Sequence, residues 1–256
     1  MITAGIDIGS ISTKAAVIAD SKLLGAKVIF TGYNAEQAGK TVYEDLLQEL
    51  HLQPSAIQKT VATGYGRNSV KFADKTLTEI ICHAAGAHFL NPPVRSIIDI
   101  GGQDSKAIIV DVNGNVGNFV MNDKCAAGTG RFLEVMARAL EVDLENLGDL
   151  SLQADHPSKI SSLCTVFAES EVISLIAKGE NRANIIAGIH ESIASRVFSM
   201  ANRVGIVPPV VMTGGVAKNI GFVKALEKKL GITPAVSKYA QVNGAIGAAV
   251  LAAGLK

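Results

Sequence analysis

A short segment of this sequence is present twice. Residues 6–15 and 98–107 align without a gap, and Asp, Ile, Gly, Lys and Ala coincide between the two copies. In each copy, an apolar run typical of a buried strand contains an aspartate just before its end, a small-residue turn follows, and then a second apolar run begins. Such a repeat is typical of two half-molecules built on one strand–turn–strand plan. We therefore expect the chain to fold as two related halves.

Two consecutive prolines mark the predicted boundary between these halves. Asn91-Pro92-Pro93 interrupts the chain immediately before the second copy. The sequence thus predicts one domain over residues 1–93 and another over 94–256, with the option that the last helix, about 241–256, packs back across the junction. Predicted strands alternate with predicted helices along both halves, which favours the α/β class.

Individual elements follow from hydrophobic periodicity and local end signals. Strands are predicted over 3–8, 15–18, 27–30, 60–63, 210–212 and 232–236, and helices over 35–50, 184–204 and 241–253. Thr76 and Glu79 have the spacing of a capping box, which predicts a helix start there with Ile80 and Ile81 on its apolar face. Gly205 is the predicted stop of the long helix over 184–204.

Composition excludes several classes of partner. Hydrophobic residues make up 48% and charged residues 18% of the 256 residues, which is typical of a globular protein. A formal net charge of +1 gives no electrostatic reason to expect nucleic acid or an anionic membrane as a partner. The apolar opening over 1–8 is too short for a signal peptide, and no run of eighteen apolar residues is present. A cytoplasmic location is expected.

The duplicated turns have the chemistry of a phosphate site. Backbone N–H groups in a small-residue turn cradle phosphate oxygens, and a nearby carboxylate holds Mg²⁺ through water. Asp7 and Asp99 occupy equivalent positions, so two facing turns would clamp a triphosphate across a cleft. Thr213-Gly214-Gly215 is a third glycine pair at a strand end. Neither a Walker loop nor a dinucleotide-binding glycine motif follows a strand, which argues against those two nucleotide-binding classes.

Two of the three cysteines are expected at helix starts. Cys125 precedes the turn Ala126-Ala127-Gly128-Thr129-Gly130, and Ser161-Ser162-Leu163-Cys164 leads into another helical pattern. A thiol at a helix N-terminus experiences the positive end of the helix dipole, which favours the metal-binding thiolate. Either cysteine alone would more often be an inert core residue. Finding both at helix starts favours metal or redox chemistry.

These motifs together resemble a known group of ATPases. The three glycine segments resemble the two phosphate motifs and the adenosine motif of the actin, sugar-kinase and heat-shock-chaperone superfamily, which implies two ribonuclease-H-like domains with a nucleotide cleft between them. The segment 122–132 and the segment 164–171 are similar to those of the activator ATPases of 2-hydroxyacyl-CoA dehydratases, to which benzoyl-CoA reductase ATPase subunits are related. Gly64-Tyr65-Gly66-Arg67 and Asp74-Lys75 also match the activators.

The resemblance implies a homodimer that shares one [4Fe-4S] cluster and binds ATP or ADP with Mg²⁺ in each subunit. It also implies an iron–sulfur dehydratase as partner and a low-potential electron donor such as ferredoxin or flavodoxin. Ligand counting agrees, because such a cluster takes four thiolates and the chain offers two well-placed ones, Cys125 and Cys164. Cys82 is interpreted as a packing residue, and His83 and His88 as structural or surface residues.

The implied nucleotide site assigns a role to each motif. Asp7 and Asp99 would organise Mg²⁺ and water, and Gln103 would position the attacking water. Phosphate oxygens would be bound by the first turn and by the second glycine pair, namely Gly9, Ser10, Ile11, Ser12, Thr13, Lys14, Gly101 and Gly102. Gly214, Gly215 and Gln241 would hold the nucleoside. By resemblance, Gly128, Thr129, Gly130 and Arg131 approach the nucleotide from the cysteine segment and couple the two sites.

Three other functions remain open at this stage. The chain could serve as the ATPase subunit of an enzyme of the benzoyl-CoA reductase type. A small-molecule kinase of the same superfamily would explain the nucleotide motifs but leaves both cysteines without a role. A non-catalytic actin-like filament protein is disfavoured, because the chain is short for the usual subdomain insertions.

Overall fold

The computed structural model describes residues 1–161 and 164–255, which form ten strands and eight α-helices within those ranges. The strands are β1 Ile2–Ile8, β2 Ser12–Ala19, β3 Lys22–Phe30, β4 Lys59–Thr63, β5 Lys75–Thr76, β6 Ser96–Ile100, β7 Ser105–Val110, β8 Val116–Asn122, β9 Val210–Thr213 and β10 Ala235–Val236. The helices are α1 Ala35–Glu49, α2 Glu79–Leu90, α3 Gly130–Ala139, α4 Leu147–Ser151, α5 Thr165–Ala177, α6 Arg182–Val204, α7 Ile220–Leu230 and α8 Asn243–Ala252.

The strands form two five-stranded sheets with the same topology. The first sheet has the order β3-β2-β1-β4-β5, and the second has the order β10-β9-β6-β7-β8, which is the same arrangement read from the other edge. In both sheets the first three strands are antiparallel and the remaining two are parallel to the first strand. The internal repeat thus extends from a ten-residue segment to the whole sheet, and the α/β prediction is confirmed.

The repeated Asp and Lys lie opposite each other in both sheets. Asp7 of β1 pairs with Lys14 of β2, and Asp99 of β6 pairs with Lys106 of β7. Directly paired residues on neighbouring strands bring their side chains to the same face, so each carboxylate lies beside an ammonium group. The sequence repeat therefore places one acid–base pair at the same end of each sheet.

Two helices connect the halves. Helix α2 packs with α8 and against β6, β7 and β8 of the second sheet, while α8 packs on β1, β2 and β4 of the first sheet. The contact is close, because a Cβ on Gly5 of β1 would overlap the carbonyl oxygen of Ala245. A helix from the second half of the sequence thus covers the first sheet. The boundary between residues 93 and 94 stays a prediction.

The second half holds the largest apolar cluster. Its centre is the 23-residue helix α6, which ends at Gly205 in the left-handed conformation (φ 68°) as predicted. The predicted apolar stripe on α6 is buried at Ile185, Ile189, Ile193, Val197 and Met200. No helix in the described part of the chain is long and apolar enough to cross a membrane.

The predicted boundaries of α2, β10 and α8 were wrong, and β3 begins at Lys22 rather than at residue 27. Thr76 is not the cap of α2, because its backbone pairs with β4; Thr78 precedes the helix instead, and Ile81 is 44% exposed rather than on the apolar face. The last strand contains only Ala235–Val236. A short 3-10 turn, Ala240–Val242, occupies the position where the last helix was expected to begin.

Candidate functional site

A cavity of about 640 Å³ lies between the loops of the two sheets. It brings together most of the residues predicted to bind nucleotide: Asp7, Gly9, Ser10, Ile11, Ser12, Lys14, Asp99, Gly101, Gly102, Gln103, Gly130, Gly214, Gly215 and Gln241. Thr13, Gly128, Thr129 and Arg131 do not line it. Segments far apart in sequence therefore converge on one cleft.

The first turn is held by hydrogen bonds that explain the position of Thr13. The N–H of Gly9 donates to the carbonyl of Ser12 at 3.1 Å, which closes the turn. Behind it, the buried hydroxyls of Thr13 and Thr31 lie 2.9 Å apart, and Thr31 donates to the carbonyl of Gly9 at 2.8 Å. Thr13 thus supports the turn from behind, while Lys14 reaches the cavity with its Nζ 3.4 Å from Oδ2 of Asp7.

The second turn contains a buried charge network. Asp99 is 2% exposed. Its Oδ1 accepts a hydrogen bond from the Thr213 hydroxyl at 2.7 Å and lies 3.2 Å from Nδ1 of His83. Its Oδ2 lies 3.3 Å from Nζ of Lys106. Lys106 also pairs with Asp104 at 2.8 Å and with Glu79 at 3.4 Å. One buried ammonium group therefore faces three carboxylates.

The pKa values follow from this arrangement. Burial alone would raise the pKa of Asp99, but His83, Lys106 and the Thr213 hydroxyl overcome it and lower the pKa to about 2. Burial alone would lower the pKa of Lys106, but the three carboxylates raise it above its ordinary value. Burial raises the pKa of Glu79. The Asp99–Lys106 pair is therefore fully charged at neutral pH.

The sequence interpretation missed the partners in this network. Lys106 stands at the position of Lys14 in the repeat, and that signal was available although only Lys14 was assigned to the site. His83 was interpreted as structural, yet it is buried, lines the cavity and contacts Asp99. Glu79 was considered only for capping a helix. These roles depend on long-range pairing between α2 and the second sheet, which no local pattern contains.

The two turns differ in how they suit a hydrated Mg²⁺. Asp7 lines the cavity and has a single ion-pair partner among the described residues, Lys14, so its carboxylate has acceptor capacity left for metal-bound water. Both oxygens of Asp99 already face protein donors. Asp7 therefore fits the predicted role in magnesium binding better than Asp99, which is suited to organising its neighbours.

The third glycine pair forms the opposite wall of the cavity. Gly214 has φ 88°, and a Cβ there would overlap the carbonyl oxygen of Ile100 at the end of β6. Its N–H donates to the carbonyl of Ala240 at 2.9 Å, which places Gln241 next to the glycine pair. Apolar side chains complete this end of the cavity, namely Leu133, Leu144 and Val216. A slot with apolar walls and a few polar groups suits a nucleoside.

The loop that carries Cys125 is bonded to the second turn. Asn122 donates to the carbonyls of Cys125 and Ala127 at 2.9 and 3.3 Å, which shapes the loop. At the start of α3, the N–H of Gly130 donates to the carbonyl of Gly101 at 2.9 Å. The N–H of Arg131 donates to the carbonyl of Gly102 at 2.8 Å. Two backbone hydrogen bonds thus join the first turn of α3 directly to the predicted phosphate-binding loop.

The two cysteines differ in their relation to a helix. Cys164 is the exposed residue immediately before α5, as expected. Cys125 is half-buried, and helix α3 begins only at Gly130, so the prediction that Cys125 lies at a helix start was wrong. The intervening turn is stabilised by Thr129, whose hydroxyl donates to the carbonyl of Ala126 at 2.6 Å. The predicted segment Ser162-Leu163 lies outside the described residues.

The helix that follows Cys164 carries large apolar side chains that the described part of the chain leaves mostly uncovered. Only Ala168 and Val172 of α5 are buried, and α5 packs against α3. The other large apolar side chains of α5 are mostly exposed: Val166 (65%), Phe167 (66%), Ile173 (55%) and Ile176 (43%). Large exposed apolar side chains on one helix are typical of protein interaction surfaces.

Comparison with known proteins agrees with this geometry. A ROK family glucokinase from Streptomyces griseus, solved with glucose and AMPPNP, has a TM-score of 0.60 over 100% of both chains at 13% identity, which is a likeness of fold alone. The chain thus has the two-domain α/β fold that is shared by actin-like ATPases and sugar kinases. The chain belongs to the BadF/BadG/BcrA/BcrD ATPase family, whose model matches residues 4–252.

Two relatives are similar over nearly their whole length. The (R)-2-hydroxyglutaryl-CoA dehydratase activating ATPase of Acidaminococcus fermentans is 52% identical over 252 residues, covering 98% of this chain and 96% of the relative. The activator of the 2-hydroxyisocaproyl-CoA dehydratase from Clostridium difficile, solved with bound ADPNP, has a TM-score of 0.93 at 45% identity, covering 98% of this chain and 94% of that one. The resemblance to the activator ATPases is confirmed.

Proposed function

We propose that this chain is a cytoplasmic, ATP-hydrolysing iron–sulfur activator that passes a low-potential electron to a 2-hydroxyacyl-CoA dehydratase or a similar iron–sulfur enzyme. The observation that carries the proposal is the pair of backbone hydrogen bonds between the start of α3 and the loop Gly101-Gly102. A generic ATPase or kinase has no use for a cysteine loop bonded to its phosphate loop. The names of the similar proteins, which are activators of dehydratases, support the same function.

The proposed cluster is a [4Fe-4S] centre shared by a homodimer, with Cys125 and Cys164 contributed by each subunit. A cluster of this type takes four thiolates, and it supplies a one-electron store when bound. Within residues 1–161 and 164–255, no three Cys, His, Asp or Glu side chains are grouped as metal ligands, so a single chain offers too few. The exposed apolar face of α5 next to Cys164 is the surface expected to bind the second subunit.

Cys82 does not fit the ligand set. It is fully buried between the first sheet and α8, and burial raises the pKa of its thiol to about 12. Because metals bind the thiolate, a thiol with such a pKa is a poor ligand. Cys82 therefore serves as a control residue for the two proposed ligands.

Coupling between the sites would pass through the main chain. ATP phosphates bound at Gly101 and Gly102 would fix the loop whose carbonyls accept from Gly130 and Arg131, and release of phosphate would free it. Helix α3 would move with that loop because its first turn is bonded to it. Since α3 packs on α5, the motion would reach both cysteine segments. A donor such as ferredoxin or flavodoxin would supply the electron, and hydrolysis would drive its delivery.

The nucleotide roles are proposed with one refinement. Asp7 would hold water around Mg²⁺, which when bound offsets the charge of the phosphates. The first turn and the pair Gly101-Gly102 would bind phosphate oxygens, Gln103 would face the attacking water, and Gly214, Gly215 and Gln241 would hold the nucleoside. Asp99 would act indirectly, by holding His83, Lys106 and Thr213 in place.

Anaerobic purification tests the proposal. We expect about one four-iron cluster per dimer, measured as iron, acid-labile sulfide and visible absorption. Cys125→Ser and Cys164→Ser should lose the cluster but still bind ATP, whereas Cys82→Ser should keep both. Full cluster content in either ligand variant would contradict the assignment, and a bleached Cys82→Ser protein would show that the wrong thiols were chosen. Electron delivery from dithionite-reduced protein to a low-potential iron–sulfur acceptor should require ATP.

A further inference from the structure

The chain that leads to Cys164 is first held against α6. The approach segment, residues 155–161, contains Ser158, whose N–H donates to the carbonyl of Asn184 at 2.9 Å. Ser158 is buried, and a Cβ on Gly188 would overlap its carbonyl oxygen, so the two backbones lie in close contact. The approach segment therefore starts from a fixed point on α6.

A second contact holds the approach segment against α5. The N–H of Ser161 donates to Oε2 of Glu171 at 2.8 Å, and the Ser161 hydroxyl donates to Oε1 of the same side chain. One carboxylate thus binds one residue with both of its oxygens. Hydrogen bonds to a carboxylate are roughly twice as strong as those between neutral groups. Since Ser161 is separated from Cys164 by only two residues, the contact fixes the chain just ahead of the cysteine.

Cys164 itself is held by the helix on its other side. Its carbonyl accepts a hydrogen bond from the N–H of Ala168 at 2.9 Å. Its side chain makes no capping hydrogen bond, and the residue is exposed. Helix α5 thus fixes the backbone that follows the thiol, while the contact between Glu171 and Ser161 restrains the backbone that precedes it.

A cluster ligand needs support of this kind. A thiolate on a loosely held segment moves away after it detaches from iron, whereas a restrained thiolate stays close enough to bind again. Residues that orient a metal ligand without touching the metal typically contribute about 10- to 100-fold in metal affinity or activity. Glu171 lies on α5 two helical turns after Cys164, about 10 Å along the axis, so it would act through Ser161 rather than at iron.

We propose that Glu171 is a positioning residue for Cys164, because its carboxylate holds the segment that presents this thiol to the cluster. The inference rests on the proposed role of Cys164 as a cluster ligand. Without the contact, the approach segment stays attached at Ser158 but is less restrained at its end next to the cysteine. The consequence is faster loss of the cluster in an otherwise folded protein, since the contact is exposed and exposed contacts contribute little to global stability.

A matched pair of variants separates the hydrogen bonds of Glu171 from its charge. Glu171→Gln keeps the size of the side chain but replaces one acceptor oxygen by an amide group that only donates, so one of the two bonds from Ser161 is lost. Glu169→Gln removes the same charge from the same helix, and Glu169 makes no hydrogen bond or ion pair with another described residue. Ser161→Ala removes the hydroxyl from the other side of the contact.

The assay is the bleaching of the cluster by an iron(II) chelator in anaerobically purified protein, with hydrogen exchange and melting temperature measured on the same preparations. For Glu171→Gln we expect cluster loss at least about fivefold faster than in wild type, with a melting temperature within about 2 °C of it. Glu169→Gln should behave as wild type. Ser161→Ala should also accelerate the loss, and the double variant should be slower than the two single effects multiplied, because both changes weaken one contact. Peptides containing Ser161 should exchange faster in Glu171→Gln, whereas peptides of α6 should not.

Three results would overturn the inference. One is a cluster that leaves Glu171→Gln as slowly as it leaves wild type. Another is an equal acceleration in Glu169→Gln, which would assign the effect to charge. The third is a lowered melting temperature of Glu171→Gln with faster exchange in α6, which would give Glu171 a role in folding alone. A wild-type protein without a cluster would refute the proposed function as well, whereas a wild-type cluster with unchanged loss from Glu171→Gln refutes this inference alone.

Discussion

Removing the buried ammonium group of Lys106 should strongly destabilise the protein. Lys106 is 1% exposed and faces Asp99, Asp104 and Glu79 within 3.4 Å, so Lys106→Met keeps the apolar stem and removes the charge that these three carboxylates share. Breaking a buried ion pair from one side typically costs about 3–5 kcal/mol, because the remaining charge stays buried without a partner. We expect a loss of unfolding free energy in that range at pH 7.

The pKa of Asp99 gives an independent estimate of part of this loss. Its shift from an ordinary value of 3.8 to about 2 corresponds to roughly 2 kcal/mol of stability. Because the folded pKa is lowered, this contribution is present above pH 3.8 and is lost as the pH falls toward 2. Lys106→Met removes two of the causes that lower the pKa of Asp99, namely the charge of Lys106 and its hydrogen bond, so that pKa rises. Protonation of Asp99 at mildly acidic pH then relieves part of the loss of stability.

Urea unfolding of nucleotide-free protein at pH 7 and at pH 4.5 measures both effects. The difference in unfolding free energy between wild type and Lys106→Met should be large at pH 7 and smaller at pH 4.5. Lys14→Met is the matched control from the other half of the repeat. Its ammonium group is more exposed (13%) and, among the described residues, pairs with Asp7 alone at 3.4 Å, so we expect a loss of about 1 kcal/mol. A loss below about 1 kcal/mol for Lys106→Met, or one that grows toward low pH, would refute the reasoning.

Two further predictions concern the nucleotide and its coupling to the cysteines. Asp7→Asn should lower Mg²⁺-dependent ATP hydrolysis at least about a hundredfold while the iron content stays unchanged. The reason is that the proposed role of this carboxylate is to hold the water around Mg²⁺ at the phosphates, and not to bind iron. A turnover equal to that of wild type would contradict this role. Gly130→Val should retain the cluster and residual hydrolysis but lose ATP-dependent electron delivery, since a Cβ there would lie 3.1 Å from the carbonyl oxygen of Gly101. Gly117→Val is the matched control, because a Cβ at Gly117 would meet no atom closer than 3.7 Å. If Gly130→Val lost the cluster, ATP hydrolysis and electron delivery together, the proposed coupling between the nucleotide site and the cysteine loop would be contradicted.

The internal repeat predicted more of this structure than any other feature of the sequence. Aligning residues 6–15 with 98–107 was enough to expect two similar halves, and both sheets have the same strand order. This prediction is confirmed because neighbouring residues in the sequence are enough to favour a strand, a small-residue turn and a second strand. It also placed Asp7 and Asp99 at the cavity, since equivalent strand ends of two facing halves meet at one cleft.

The sequence could not predict contacts that depend on long-range packing. Glu79 and His83 are neighbours of Lys106 and Asp99 only because α2 packs against the second sheet. The start of α2 was misplaced for a related reason: Thr76 has a cap-like spacing to Glu79, but pairing of its backbone with β4 outweighs that local preference. The turn between Cys125 and α3 likewise depends on Asn122, a side chain at the end of β8.

The position of α8 has a consequence for how the chain is made. A chain leaving the ribosome completes β1, β2 and β4 long before it reaches α8, the helix that covers them. Until residues 243–252 arrive, Ala16 and Ile18 of the first sheet lack the apolar partners Ala245, Ile246 and Ala249. Cotranslational folding of this protein therefore cannot proceed simply from the first half to the second, and its earliest strands stay in need of protection from aggregation until nearly all of the second half has been synthesised.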